Sequence, residues 1–164
     1  MELIPYRSPA SLPFTLPALW GTLHAQGLRR FSRGLLATGL FEDLRSGDPF
    51  TLFAPLDPAF DSLPFPFDDL LLGPALVEAR HDIFEYLTVR GHVAFPVASS
   101  RGAYPTLQGE LVRLAPGLAL GRFGASRILH TFQTGPLVVH VLEQCLFPLF
   151  PGSYLLENED GLSS

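Results

Sequence analysis

Ten consecutive residues, Thr51 to Phe60 (TLFAPLDPAF), constrain this chain more than any other stretch, because they place instructions for a strand, a turn and a helix start in immediate succession. Phe50 to Ala54 is an apolar and β-branched run of strand length, and Pro55 closes it by removing a ladder donor and fixing φ. Asp57 is placed to accept a hydrogen bond from a free backbone N–H of a helix that begins at Pro58, where the missing proline N–H costs nothing. Ala59, Phe60 and Leu63 then offer the apolar contacts that pin such a helix to a core.

On either side of this stretch the pattern changes character. Leu16, Leu19, Trp20 and Leu23 share one helix face that stops near Gly27. Leu28, Phe31, Leu35 and Leu36 predict a second helix ended by Gly39, and Phe41 to Leu44 a short third turn. LPFPF at Leu63 to Phe67 is too proline-rich for a regular helix and reads as a packed connector, with Asp68 capping the next helical segment. Leu70 to Glu85 reads as helix interrupted near Gly73 and Pro74, leading into a strand at Tyr86 to Val93. Short strands are expected near Thr106 to Leu107, Leu111 to Leu114, Leu118 to Phe123, Ile128 to Phe132 and Leu137 to Leu142, with a tight turn at Gln108-Gly109. Helices in the first half and strands in the second predict an α+β architecture. The expected organisation is an N-terminal extension over 1–15, one domain over 16–150 and an acidic, loosely held tail over 151–164.

Composition narrows the function classes. A chain of 164 residues with 47% hydrophobic content is long and apolar enough to build one real core. No apolar run approaches the ~20 residues needed to cross a bilayer. The single Cys145 excludes an intramolecular disulfide framework and a multi-thiolate zinc site. All 11 basic residues are Arg, so a phosphate-binding loop lysine, a Schiff-base nucleophile and a lysine general base are absent together. A net charge of −5 argues against nucleic acid as a partner. Arg29, Arg30 and Arg33 form the one basic cluster and read as a solvated helix face.

Few residues are placed for chemistry. A hairpin centred on Gly135 sets His130 opposite His140, with Cβ atoms about 5 Å apart on one sheet face. That pair would suit a metal or a pH response. Strand alternation puts neither Glu143 nor Cys145 on the face of His140, however, so no metal site is expected and two polar side chains bonded to backbone is the plainer reading. GASRI at Gly124 to Ile128 lacks the second glycine of a nucleophile elbow. Asp57, Asp61, Asp68 and Asp69 read as helix-start carboxylates.

The TLFAPLDPAF stretch resembles the first motif of the fasciclin (FAS1) domain family, with Thr51, Phe53, Ala54, Pro55 and Phe60 on its pattern and Leu56 where the family usually has Thr. LVVHVLEQCLFP at Leu137 to Pro148 is similar to the second motif, with His140 on its His, Glu143 on its acidic position and Pro148 on its closing Pro. Thr134, Gly135 and Pro136 stand near the place of its opening Asn-Gly. FEYLTVRG at Phe84 to Gly91 resembles the Tyr-His segment, with Tyr86 on the Tyr and Leu87 replacing the His, and FSRGLLATGLFEDL at Phe31 to Leu44 is similar to the helix and Gly-Leu turn before the first motif.

The resemblance implies a small β-sandwich flanked by several short helices. It further implies a non-enzymatic module, without cofactor, that binds protein or carbohydrate in adhesion or surface assembly. Tyr86, Asp57 and His140 become candidate binding residues, and Thr51, Phe53, Ala54, Pro55, Phe60 and Pro148 mainly structural ones. No Arg-Gly-Asp triplet is present, since Arg90-Gly91 runs into His92 and Arg101-Gly102 into Ala103. The alternative is a carrier of an apolar small molecule such as a carotenoid or lipid, for which the 14 Phe and the Phe-Pro pairs would supply lining. The N-terminus has no signal-peptide pattern, so the expectation is an intracellular protein or a trimmed surface or secreted one.

Overall fold

The computed structural model describes residues 16–93 and 102–155, and begins with three helices, α1 (Leu16–Ala25), α2 (Arg29–Ala37) and α3 (Leu40–Leu44). Their inward stripes are largely those that the spacing predicts, since Leu19, Leu23, Leu28, Phe31, Leu35 and Leu44 have no exposed surface. Leu36 is the exception and is 59% exposed. Gly39 separates α2 from α3 at φ +79, a left-handed conformation that glycine adopts without a Cβ penalty.

The centre of the molecule is β1 (Phe50–Pro55), buried at every position. It pairs antiparallel with β2 (Thr88–Arg90) on one side and parallel with β7 (Leu137–Leu142) on the other. A strand covered on both faces reads as a continuous apolar run, and in β1 and β7 the only polar residues are Thr51 and His140. Beyond β7 the sheet continues through β6 (Ala125–Thr134), β5 (Leu118–Leu120), β4 (Leu111–Ala115) and β3 (Gly102–Pro105), all antiparallel, in the order β2-β1-β7-β6-β5-β4-β3. The Leu107 N–H donates to the Thr88 carbonyl at 2.9 Å and draws the far edge back toward β2. The expected small sandwich is therefore a seven-stranded mixed sheet curled nearly into a barrel, within the α+β class.

Between β1 and β2 run a 3₁₀ turn (Asp57–Ser62), α4 (Phe67–Leu72), a second 3₁₀ turn (Pro74–Leu76) and α5 (Val77–Tyr86). The segment expected to be helix from Pro58 is 3₁₀ and stops after six residues, because Pro64 forces Leu63 into an extended conformation (φ −66, ψ 148). The break expected near Gly73 and Pro74 is present. Asp68 does not cap α4, whose N-cap is Pro66 with no side-chain bond. α5 runs through Tyr86, so β2 is shorter than the strand expected there. The strand expected at Thr106 to Leu107 lies earlier, as β3. Thr106 opens the turn instead, donating from both N–H and Oγ1–H to the Glu110 carbonyl (3.1 and 2.8 Å), with Gly109 at φ +114.

The extension over 1–15 and the tail beyond Leu155 lie outside the described residues. The start of that tail is not loose: Tyr154 is buried and its hydroxyl donates to Asp82 at 3.2 Å.

Candidate functional site

Asp57 sits where the chain, leaving β1, returns to the start of α2. Its Oδ1 accepts the Arg30 backbone N–H at 2.8 Å, and its own N–H donates to the Gly27 carbonyl at 3.2 Å. The Arg30 guanidinium closes the loop, donating to the Asp57 carbonyl (2.9 Å) and to Asp61 (2.7 Å) while lying 5.3 Å from the centre of the Phe67 ring. This corrects the expectation that Asp57 caps the helix it opens; it caps α2, 27 residues back. Arg30 is accordingly half-buried and engaged, whereas Arg29 and Arg33 are exposed. Replacing Asp57 with Ala is expected to cost about 1 kcal/mol by freeing a helix-start N–H. Asp57→Asn should recover most of it in the same denaturation experiment, and equal midpoints for all three proteins would show that the cap contributes nothing.

Tyr86 ends α5 with no exposed surface. Its hydroxyl donates to the Leu111 carbonyl at 2.6 Å and accepts the Arg122 N–H at 2.8 Å, tying the helix to β4 and to the loop after β5. Burial pushes the phenol's pKa above its ordinary value, the Arg122 N–H opposes the shift, and Glu110 adds to it. The hydroxyl is therefore not the free handle expected of a contact residue, and Tyr86 presents no surface to a partner. Tyr86→Phe is expected to cost about 2 kcal/mol, since it leaves a carbonyl and an amide unpaired beneath the sheet. A chemical denaturation midpoint equal to the parent's would overturn that assignment.

His140, in the middle of β7, is buried against the Phe53 ring at 5.1 Å. Its Nε2 lies 2.9 Å from the Val93 carbonyl and its Nδ1 2.7 Å from Thr131 Oγ1. A carbonyl only accepts, so Nε2 carries the proton and Nδ1 accepts from the threonine hydroxyl. Thr51 holds the other side of the same segment: its Oγ1 donates to the Gly91 carbonyl at 2.6 Å and accepts the Val93 N–H at 2.9 Å. The polar residues of the two sequence motifs thus grip one stretch, Gly91 to Val93, from neighbouring strands.

His130 is not opposite His140. β6 and β7 are joined by a two-residue turn, Gly135-Pro136, with Gly135 at φ +54, so Thr134 pairs with Leu137 and Thr131 with His140. One residue of register moves a side chain to the other face, and His130 reaches Gln26 Oε1 at 3.0 Å on the outside. Reading the turn as two residues rather than three would have exposed Thr131 as the partner. Phe53, Ala54, Pro55, Phe60 and Pro148 are all buried. Glu143 lies on the surface in a two-pronged pair with Arg127 (3.1 and 3.0 Å), which holds its carboxyl below the usual range. Burial pushes the Cys145 thiol up to about 12. Among the described residues no three His, Cys, Asp or Glu side chains converge as metal ligands, and no helix is long and apolar enough to cross a membrane.

Of the concavities among the described residues, one of about 310 Å³ lies beside Arg30 and Asp61, and two others bear on binding. One, of about 430 Å³, is lined by the connector residues Pro64, Phe65 and Pro66 together with Pro74, Leu76 and Leu155. The other, of about 250 Å³, lies over Tyr86 and is lined by Glu110, Leu111, Arg113, Leu120, Gly121 and Arg122.

These features define a helix-flanked mixed-sheet domain whose marked polar residues fasten one part of the scaffold to another. The Fasciclin domain profile matches residues 26–148, well over half of the chain, and the chain belongs to the fasciclin domain family. Such domains are generally found in cell adhesion and extracellular proteins. Among solved structures, the chain is similar in fold to a FAS1 domain pair from the insect cell adhesion molecule Fasciclin I, at a TM-score of 0.50 and 17% identity, over 73% of this chain and 45% of that one. The chain thus spans less than half the length of that protein. No curated protein matches it.

Proposed function

We propose that this chain is a non-enzymatic interaction module of the fasciclin type that binds a protein partner in adhesion or surface assembly. One observation carries the reading beyond family membership: Thr51, Asp57, Tyr86 and His140, the polar residues its motifs single out, are engaged in internal bonds. Recognition then falls to the outer surface. Beads coated with the chain should adhere to cells of its own source above an albumin-coated control, and protease treatment of the cells should abolish the adhesion. Adhesion no greater than the control would sink the proposal, and loss with glycosidases alone would replace protein by carbohydrate.

The connector groove favours the carrier reading as a second possibility, because Pro64, Phe65 and Leu76 give it apolar walls. Most of the aromatic content serves the core instead, with Phe31, Phe50, Phe53, Phe60 and Phe84 almost wholly covered. Native mass spectrometry of the protein from its own source discriminates the two, since a carrier would retain a stoichiometric lipid or chromophore.

A further inference from the structure

The loop Gly121 to Gly124, between β5 and β6, is pressed onto the segment Cys145 to Phe147 with no slack. The Gly121 N–H donates to the Gly124 carbonyl at 2.9 Å, and Phe123 and Phe147 exchange both backbone hydrogen bonds at 3.0 and 2.9 Å. A Cβ on Gly121 would lie 2.8 Å from the Phe123 carbonyl oxygen and 3.0 Å from Leu146 Cβ. One on Gly124, itself at φ +89, would lie 2.8 Å from the Cys145 carbonyl oxygen. The amide of Arg122 is held from below by the buried Tyr86 hydroxyl.

A loop fixed this firmly holds its side chains out in a set arrangement. Arg122 projects over the Phe123 ring at 5.9 Å, with its side chain half exposed and 3.6 Å from Glu110. Phe123 meets Phe150 edge to face at 6.2 Å, and these two rings are 37% and 61% exposed. Arg113, exposed across the 250 Å³ hollow, makes no ion pair among the described residues. Two guanidiniums against one carboxylate leave this spot positive on a chain of net charge −5.

From this geometry we propose that the hollow and the neighbouring rings of Phe123 and Phe150 dock an extended peptide segment of the protein partner that carries a carboxylate beside an apolar side chain. The carboxylate enters between Arg113 and Arg122, where planar guanidiniums match it in two-pronged fashion. The apolar side chain lies on Phe123 and Phe150. Aromatic rings with few rotatable bonds lose little freedom on binding, and aromatic and Arg side chains are enriched among the residues that dominate interface energetics. A sulfated glycan fits less well. Glu110 beside Arg122 repels a polyanion more than it does a single carboxylate, and the partly exposed rings of Phe123 and Phe150 suit an apolar side chain better than a sulfated sugar. The assignment rests on the protein-binding function proposed for the chain.

The test is a ¹⁵N amide titration of the full chain with the blocked peptide acetyl-Glu-Phe-Asp-Phe-amide, its acetyl-Gln-Phe-Asn-Phe-amide counterpart and a sulfated heparin disaccharide. The acidic peptide should shift the amides of Gly121, Arg122 and Phe123 and bind about tenfold more tightly than the amide form. Arg113→Gln, Arg122→Gln and Phe150→Ala, all exposed side chains whose loss leaves the amide spectrum folded, should each weaken it about fivefold or more. No shift at these amides, equal binding of the two peptides, or tighter binding of the disaccharide would each overturn the assignment. Protease-sensitive cell adhesion as strong in the Arg113→Gln/Arg122→Gln double variant as in the parent would remove this site and leave the module reading standing, whereas parent adhesion no greater than the albumin control would remove the reading itself.

Discussion

Gly34→Ala is expected to destabilise the protein by about 3 kcal/mol, a drop of roughly 6–12 °C in Tm for a chain of this size. Gly34 lies on the buried side of α2, and a Cβ built there falls 2.0 Å from Cε1 and Cζ of Phe84 on α5. Alanine would add about 1 kcal/mol of helix propensity in an exposed helix, so the sign depends on whether the ring can retreat. It has nowhere to go. Phe84 has no exposed surface and is packed against Phe31 and Phe60, with ring centres 6.2 and 6.0 Å away. A double-mutant cycle separates the clash from any generic effect: in a Phe84→Leu background the cost of Gly34→Ala should fall by more than half. A Gly34→Ala protein as stable as its parent would mean that α2 and α5 do not pack this closely.

The second large effect belongs to His140→Ala, expected to cost about 3 kcal/mol, because it opens a cavity against Phe53 and leaves the Val93 carbonyl without its donor. The same residue gives the protein a pH dependence whose sign is set by its burial. Desolvation lowers the imidazole pKa below the ordinary 6.5, and the bond to Val93 only partly opposes it. Between the folded value and 6.5 the unfolded chain binds a proton that the folded chain does not, so stability rises with pH through that interval. This contribution is complete above about pH 7 and is lost progressively as the pH falls below about 6.5. Unfolding midpoints measured from pH 7.5 to 5 should therefore fall more steeply in the parent than in His140→Ala. Parallel curves would exclude His140 as the source.

Much of the local structure was legible beforehand, for reasons particular residues make plain. β7 runs from Leu137 to Leu142 as its apolar pattern requires. The interruption at Gly73 and Pro74 comes from a missing donor and a fixed φ, and the end of α2 from the freedom of Gly39. Such features depend on covalent geometry and on neighbours a few residues away, which the sequence carries directly. The partners of the polar residues were not legible. Asp57 has several free N–H groups available to it in principle, and only the return of the chain to α2 selects Arg30.

The amino-acid sequence by itself determined the membership of this chain in the fasciclin family, its α+β order and the absence of lysine and thiol-pair chemistry. It did so because apolar spacing, proline and glycine act locally, and because motif residues recur in fixed order. Only the tertiary structure decided that Tyr86 is an interior tie, that Thr131 rather than His130 faces His140, and that a taut loop displays Arg122 and Phe123 together. Each of those outcomes turns on which distant backbone a side chain meets, and a single residue of strand register or the return path of one connector is enough to change it.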